Sequence, residues 1–199
     1  MVIDDILRAF DTQRSDEAIA YFYCDRNQAS RRESISIMRS FVRQLSTTRT
    51  GDAMQPILVQ FYRQKKRTGF ASGEPDMEEC VDLLRQYVNT YPQTTLVLDA
   101  LDECDNPPIR KQLVKAFDDV LKHSLKPIKI FISSRPDTDI RHRLGTGPDV
   151  GIQATDNQDD IAKFVAAKLE EDDKDRQDKL SSELKKYIID TLLRRSQGV

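Results

Sequence analysis

The chain has few of the residues that would advertise a chemistry outright: its 199 residues hold three cysteines and two histidines. Cys24, Cys80 and Cys104 are odd in number and far apart, with neither a CxxC spacing nor a histidine at ligand spacing, which argues against a disulfide framework and a zinc site. A reducing, cytoplasmic setting is the expectation. Long apolar runs are missing as well, and the opening MVIDDILRAF has acids inside its apolar pattern and no cleavage site, so neither a membrane span nor an export signal is expected. Nor does one sign of charge dominate: 31 Lys and Arg stand against 33 Asp and Glu, interspersed, for a formal net charge of −2. No field of that kind draws the chain to nucleic acid or to an anionic membrane. Finally, none of Gly51, Gly69, Gly73, Gly145, Gly147 and Gly151 is followed by Lys-Ser or Lys-Thr at phosphate-loop spacing, so GxxxxGK[ST] is absent from these residues.

What is there is an alternation of helical and strand-like segments, in a length that suits one domain or part of a larger one. Met1–Phe10 places Val2, Ile3, Ile6, Leu7 and Phe10 on one helical stripe. Ala18–Tyr23 (AIAYFY) is an apolar run of strand length, read as a buried parallel strand covered on both faces. Helices are expected over Glu33–Leu45 and Met54–Tyr62, the second followed by the basic run Arg63, Lys65, Lys66 and Arg67. Four cations at a helix end complement its dipole and stay solvated, and that reading is preferred to a nucleic-acid patch. Asp76–Tyr91 is the next helix, with Val81, Leu84 and Val88 inward, and Pro92 stops it ahead of the strand Thr94–Leu98. After Pro107-Pro108 comes a helix over Ile109–Leu121, then the strand Ile128–Ile132. Val150–Ala154 is a weaker strand candidate. Helical stretches Asp159–Glu170 and Leu180–Arg194 close the chain, separated by the charged segment Glu171–Lys179. The order fits an open α/β fold, a parallel sheet flanked by helices with a helical C-terminal extension.

In such a sheet, ligands gather beyond the carboxyl ends of the strands, so polar residues just after an apolar strand carry the most information. TTLVLDALDECD puts Asp99, Asp102, Glu103 and Asp105 at one such end. A carboxylate there is costly unless it is solvated, hydrogen-bonded or matched to a cation, and hard oxygen donors of this kind suit Mg²⁺. Acids that simply cap the next helix and face water are the alternative, preferred for Asp105. The next strand delivers Ser133, Ser134 and Arg135. That arginine can read phosphate charge with its planar fork, or pair with Asp137 or Asp139. His123 and His142 stand alone and are read as structural or solvent-facing, and Cys24 and Cys104, with no histidine tied to either, as structural. Asp99 and Asp102 as the metal pair of a Mg²⁺-dependent phosphatase or nuclease would leave SSRP without a role.

A strand running into DALDEC, followed after a helix by a strand running into SSRP, resembles the NACHT family of STAND P-loop NTPases, particularly its fungal and nephrocystin-type members. The resemblance covers essentially the whole chain: AIAYFYCD is similar to the strand after the family's first helix, and Ile152, Asn157, Asp160 and Ile161 to the strand and helix after the sensor. It implies a P-loop NTPase-like parallel sheet in which Asp99 is the Walker B metal residue, Asp102 and Glu103 are the catalytic acids that orient or activate water, and Arg135 is the sensor arginine at the γ-phosphate. Mg²⁺ and ATP or GTP are the implied cofactors. Nucleotide, other proteins or further copies of the chain are the implied partners, in signalling of the innate-defence kind. In relatives the phosphate loop lies just upstream of the helix represented by Met1–Phe10. The resemblance therefore implies a domain lacking its P-loop strand, truncated before and after: residues 1–155 a partial nucleotide-binding domain, 156–199 the start of a helical extension. Such a fragment is expected to be inactive alone; the alternative is a non-enzymatic regulatory or interaction module that has kept the fold.

Overall fold

The computed structural model describes residues 17–47, 53–67, 69, 73–104, 106–144, 147–151, 158–174 and 179–196. The expected helix at 1–10, Asp105, Ile152 and Asn157 lie outside them. The chain divides into two compact units, Met1–Gly147 and Pro148–Val199.

In the first unit, β1 (Ala18–Tyr23), β2 (Thr94–Asp99) and β3 (Ile128–Ile132) form one parallel sheet in the order β1-β2-β3. The strand of TTLVL thus lies between those of AIAYFY and IKIFI, and the register pairs Ala18 with Thr94 and Thr94 with Ile128. Because side chains alternate along a strand, this register gathers Ala18, Ala20, Phe22, Leu96, Leu98, Ile128, Ile130 and Ile132 on one face. That face meets the helices in a single core.

α1 (Ser34–Leu45) contributes Ile37, Met38, Phe41, Val42 and Leu45 to that core at helical spacing. α2 (Pro56–Arg67) contributes only Leu58 as a fully buried side chain. α3 (Met77–Thr90) buries Cys80, Leu83, Leu84, Tyr87 and Val88. Its start is set by a reciprocal capping box, in which Asp76 accepts from the Glu79 amide and Glu79 accepts from the Asp76 amide, both at 2.9 Å. α4 (Pro107–Lys122) begins on its two prolines, where a missing N–H costs nothing, and buries Leu113, Ala116, Phe117 and Val120. α5 (Thr138–Leu144) is the last described helix of the unit.

Several boundaries differ from the sequence reading. β1 is not covered on both faces: only Ala18 and Ala20 are fully buried in it, and among the described residues it pairs with β2 alone. Its apolar, aromatic composition reflects one well-packed face rather than a central position. The second helix runs on through the basic stretch, which forms its last turns; Lys65 there reaches Glu79 at 2.7 Å and lies over the Phe61 ring. α5, short and rich in charge, is a helix to which the sequence reading gave no bounds. Val150 and Gly151 are not in a strand, and the rest of that strand candidate, 152–154, is outside the described residues.

The second unit holds α6 (Gln158–Lys174) and α7 (Ser182–Ser196). α6 continues through Glu171–Lys174, which the sequence assigns to a charged linker, because Asp173 has partners inside the unit: Lys185 at 2.6 Å and the Leu180 amide at 2.7 Å. The Lys185 ammonium, foremost, holds the Asp173 carboxyl below its ordinary range. No helix among the described residues is long and apolar enough to cross a membrane.

Candidate functional site

Among the described strands, β2 alone has five successive buried residues, Thr94 to Leu98, and it delivers Asp99 to the carboxyl end of the sheet. The chain then turns at Ala100, whose φ of 57° and ψ of 51° place it in the left-handed region. For a residue with a Cβ this costs about 1 kcal/mol, and a small side chain limits the crowding. Ser133, one residue beyond β3, holds the turn from four directions. Its hydroxyl donates to Asp99 Oδ1 and accepts from the Ala100 amide at 3.0 Å. Its carbonyl accepts from the Leu101 amide, and its amide donates to the Leu98 carbonyl, both at 3.0 Å. One hydroxyl can supply both of its bonds, being a donor and an acceptor at once.

The turn drives Leu101 into the core, 1% exposed, and starts the short 3-10 segment Leu101–Glu103 that carries the next two acids. Asp102 Oδ1 accepts from the Arg135 backbone amide at 3.0 Å, while the Arg135 guanidinium lies 3.7 Å from Asp102 Oδ2 and points outward, its side chain 65% exposed. Asp99, Asp102 and Arg135 therefore converge at one end of the sheet. The sequence alternative for Arg135, pairing with Asp137 or Asp139, is not what forms. Asp137 pairs instead with Arg110, whose buried guanidinium lies 3.0 Å from it, and Asp139 pairs with Arg143 at 2.8 Å, with Arg110 3.8 Å away. The same guanidinium donates to the Cys104 carbonyl at 2.7 Å and the Asp102 carbonyl at 3.3 Å. Asp137 also accepts from the Asp139 and Ile140 amides, and the Asp139 amide foremost keeps its carboxyl below the ordinary range. Arg110 thus ties the acidic turn after β2 to the segment after β3.

Glu103 turns the other way, toward the end of β1. Its Oε2 meets Arg26 Nε at 2.5 Å and the Arg26 amide at 3.3 Å, and the Arg26 side-chain bond is the main reason its carboxyl is held below the usual glutamate range. Beside this pair, Cys24 and Cys104 are buried with their sulfurs 3.4 Å apart. The hydrogen bond from Cys104, reinforced by burial, pushes the Cys24 thiol well above the ordinary cysteine range.

Among the described residues, no group of three His, Cys, Asp or Glu side chains could hold an ion by itself. A Mg²⁺ ion needs no such group, since it keeps several waters and takes one or two carboxylates together with substrate phosphates. Asp99 fits that pattern: among the described residues only the Ser133 hydroxyl donates to its side chain, and it stands at the sheet end where ligands gather. Of the residues singled out from sequence, Asp99, Asp102, Glu103, Ser133 and Arg135 are all brought to this end. The Ser134 hydroxyl donates to the Arg135 carbonyl. His123 and His142 are exposed, with the His123 ring 2.8 Å from the Asp119 carbonyl.

Sequence reasoning missed Arg26 and Arg110. The first had a signal, since β1 also runs into polar residues, CDRN. The second had one too: Arg110 occupies the helix stripe shared by Leu113, Ala116, Phe117 and Val120, where a charge demands buried partners.

A family model described as "Nephrocystin 3, N-terminal" matches residues 1–135, which takes in β1, β2 and β3 with Asp99, Asp102, Glu103, Arg26, Arg110 and Arg135, and stops short of Asp137 and Asp139. No curated protein matches the chain.

Proposed function

The chain belongs to the nephrocystin 3 N-terminal family, and from that premise we propose that its acidic strand end is the metal and sensor half of a NACHT-type, Mg²⁺-dependent nucleotide switch. The observation that supports this most is the convergence of Asp99, Asp102 and Arg135 beyond β2 and β3, with the Arg135 side chain exposed and Asp99 held in place by Ser133. In this reading Asp99 offers a hard oxygen to the ion, and Arg135 reads the charge of the terminal phosphate with its guanidinium. Asp102 and Glu103 orient the attacking water. When bound, Mg²⁺ neutralises phosphate charge and fixes the phosphate oxygens in place. ATP and GTP both fit this chemistry.

The 199 residues contain no GxxxxGK[ST], so loop amides and a lysine for the phosphates are not among them. The acids here also have partners inside the protein: the Ser133 hydroxyl for Asp99 Oδ1, the Arg135 amide for Asp102 and Arg26 for Glu103. Both facts favour a second reading, an interaction module that keeps the fold without nucleotide.

Titrating ATP and GTP, with and without Mg²⁺, against the chain alone and against the chain joined to an upstream strand and GxxxxGKS loop separates the readings. The chain alone should bind very weakly, and the extended chain in a Mg²⁺-dependent way. In the extended chain Asp99→Asn should weaken Mg²⁺-nucleotide binding, Asp102→Asn or Glu103→Gln should slow turnover while sparing binding, and Arg135→Ala should blunt discrimination between tri- and diphosphate. Tight binding by the unextended chain would place the phosphate site elsewhere. No binding by the extended chain would favour the interaction module.

A further inference from the structure

The nucleotide reading leaves Cys24 and Cys104 without a task. Cys24 is the first residue after β1, and Cys104 closes the 3-10 segment that carries Asp102 and Glu103. They are eighty positions apart in sequence, yet their sulfurs lie 3.4 Å apart and neither is in a disulfide. Both stand on tethered backbone. The Cys24 amide donates to the Asp99 carbonyl at 3.0 Å, the Cys104 carbonyl accepts from buried Arg110, and the Arg26–Glu103 ion pair joins the same two segments. The sulfur separation is thus imposed by the fold from several sides. A disulfide requires about 2.0 Å between sulfurs, so the pair would have to close by roughly 1.4 Å.

We propose that Cys24 and Cys104 are a peroxide-responsive dithiol that oxidises to a disulfide linking the end of β1 to the acidic turn. Hydrogen peroxide is the oxidant because it is small; with the residues only 7% and 0% exposed, a bulky disulfide reagent cannot reach the pair. The Cys24 sulfur attacks one peroxide oxygen and the O–O bond breaks, leaving a sulfenic acid on Cys24 and releasing one water. The Cys104 sulfur then attacks the Cys24 sulfur, and the hydroxyl leaves with the Cys104 proton as a second water. Two electrons pass from the thiols to peroxide, and nothing else is consumed.

The test treats the full 199-residue chain, natively folded, with hydrogen peroxide, removes the peroxide with catalase, then denatures, alkylates and maps the peptides by mass. The expected product is a peptide pair joined through Cys24 and Cys104, lighter by two hydrogens and separated again by dithiothreitol. Alkylation of these two cysteines should be lost together while that of Cys80 is kept. Cys80→Ser should still form the link and Cys24→Ala should not; if Cys24→Ala fails to fold, the link in the wild-type and Cys80→Ser chains still decides the matter. Met54, 63% exposed, reports the dose. The proposal is overturned if both cysteines remain alkylated once Met54 is oxidised, if oxidation stops at sulfinic acid without a link, or if only links between chains appear.

Discussion

β2 and β3 look alike as sequences, TTLVL against IKIFI, and they are neighbours in one sheet, yet they do different work. β2 is buried along its length, while in β3 Lys129 and Phe131 are exposed and its three isoleucines are half-buried. The buried strand ends in the carboxylates, and the half-exposed one ends in the groups that hold them: the Ser133 hydroxyl, the Arg135 amide and the Arg135 guanidinium. A charge that must keep one geometry sits on the rigid element, and the donors that adjust to it sit on the more open one. Where those donors fall short, Arg110 ties the two strand ends together from α4.

The largest test of this contrast compares truncations on the two strands. Leu96→Ala, at a fully buried core position in β2, should cost about 2–5 kcal/mol, whereas Phe131→Ala in β3, at 43% exposure, should cost less than about 1 kcal/mol. Urea denaturation of both variants measures the difference, and equal losses would erase the distinction. Arg110→Ala comes next, on the order of 2 kcal/mol, because it removes the charged hydrogen bonds to the Asp102 and Cys104 carbonyls. Its second signature is local: if Arg110 holds the acidic turn, the Arg135 and Leu101 amides should exchange hydrogen faster, and unchanged exchange would reduce Arg110 to a general packing role.

The smallest effect concerns Glu103. Its carboxyl is held down chiefly by Arg26, so the folded state favours the ionised form. The resulting stability is present above the unfolded pKa of glutamate and is lost as pH falls through the lower folded value. Arg26→Ala should move the Glu103 carboxyl titration, followed by NMR between roughly pH 3 and 6, back up toward the ordinary range. It should also flatten the acid limb of stability. An unmoved titration would mean that Arg26 is not what holds Glu103.

The sequence by itself determined the α/β class, the positions of the three strands and the end of the sheet at which the acids collect, because strand runs, helical stripes and proline stops are local signals. It also marked Asp99, Asp102, Glu103, Ser133 and Arg135, since polar residues directly after an apolar strand can be read without knowing the neighbours. Tertiary structure alone decided that β1 has only one well-packed face, that Ser133 takes Asp99, and that Asp102 takes the Arg135 amide. It also decided that Arg26 takes Glu103 and that Cys24 meets Cys104. Each of these pairings joins residues between 33 and 80 positions apart. Their meeting depends on the register of parallel strands and on the left-handed turn at Ala100, and no periodicity within one segment encodes which of several nearby acids a given arginine will reach.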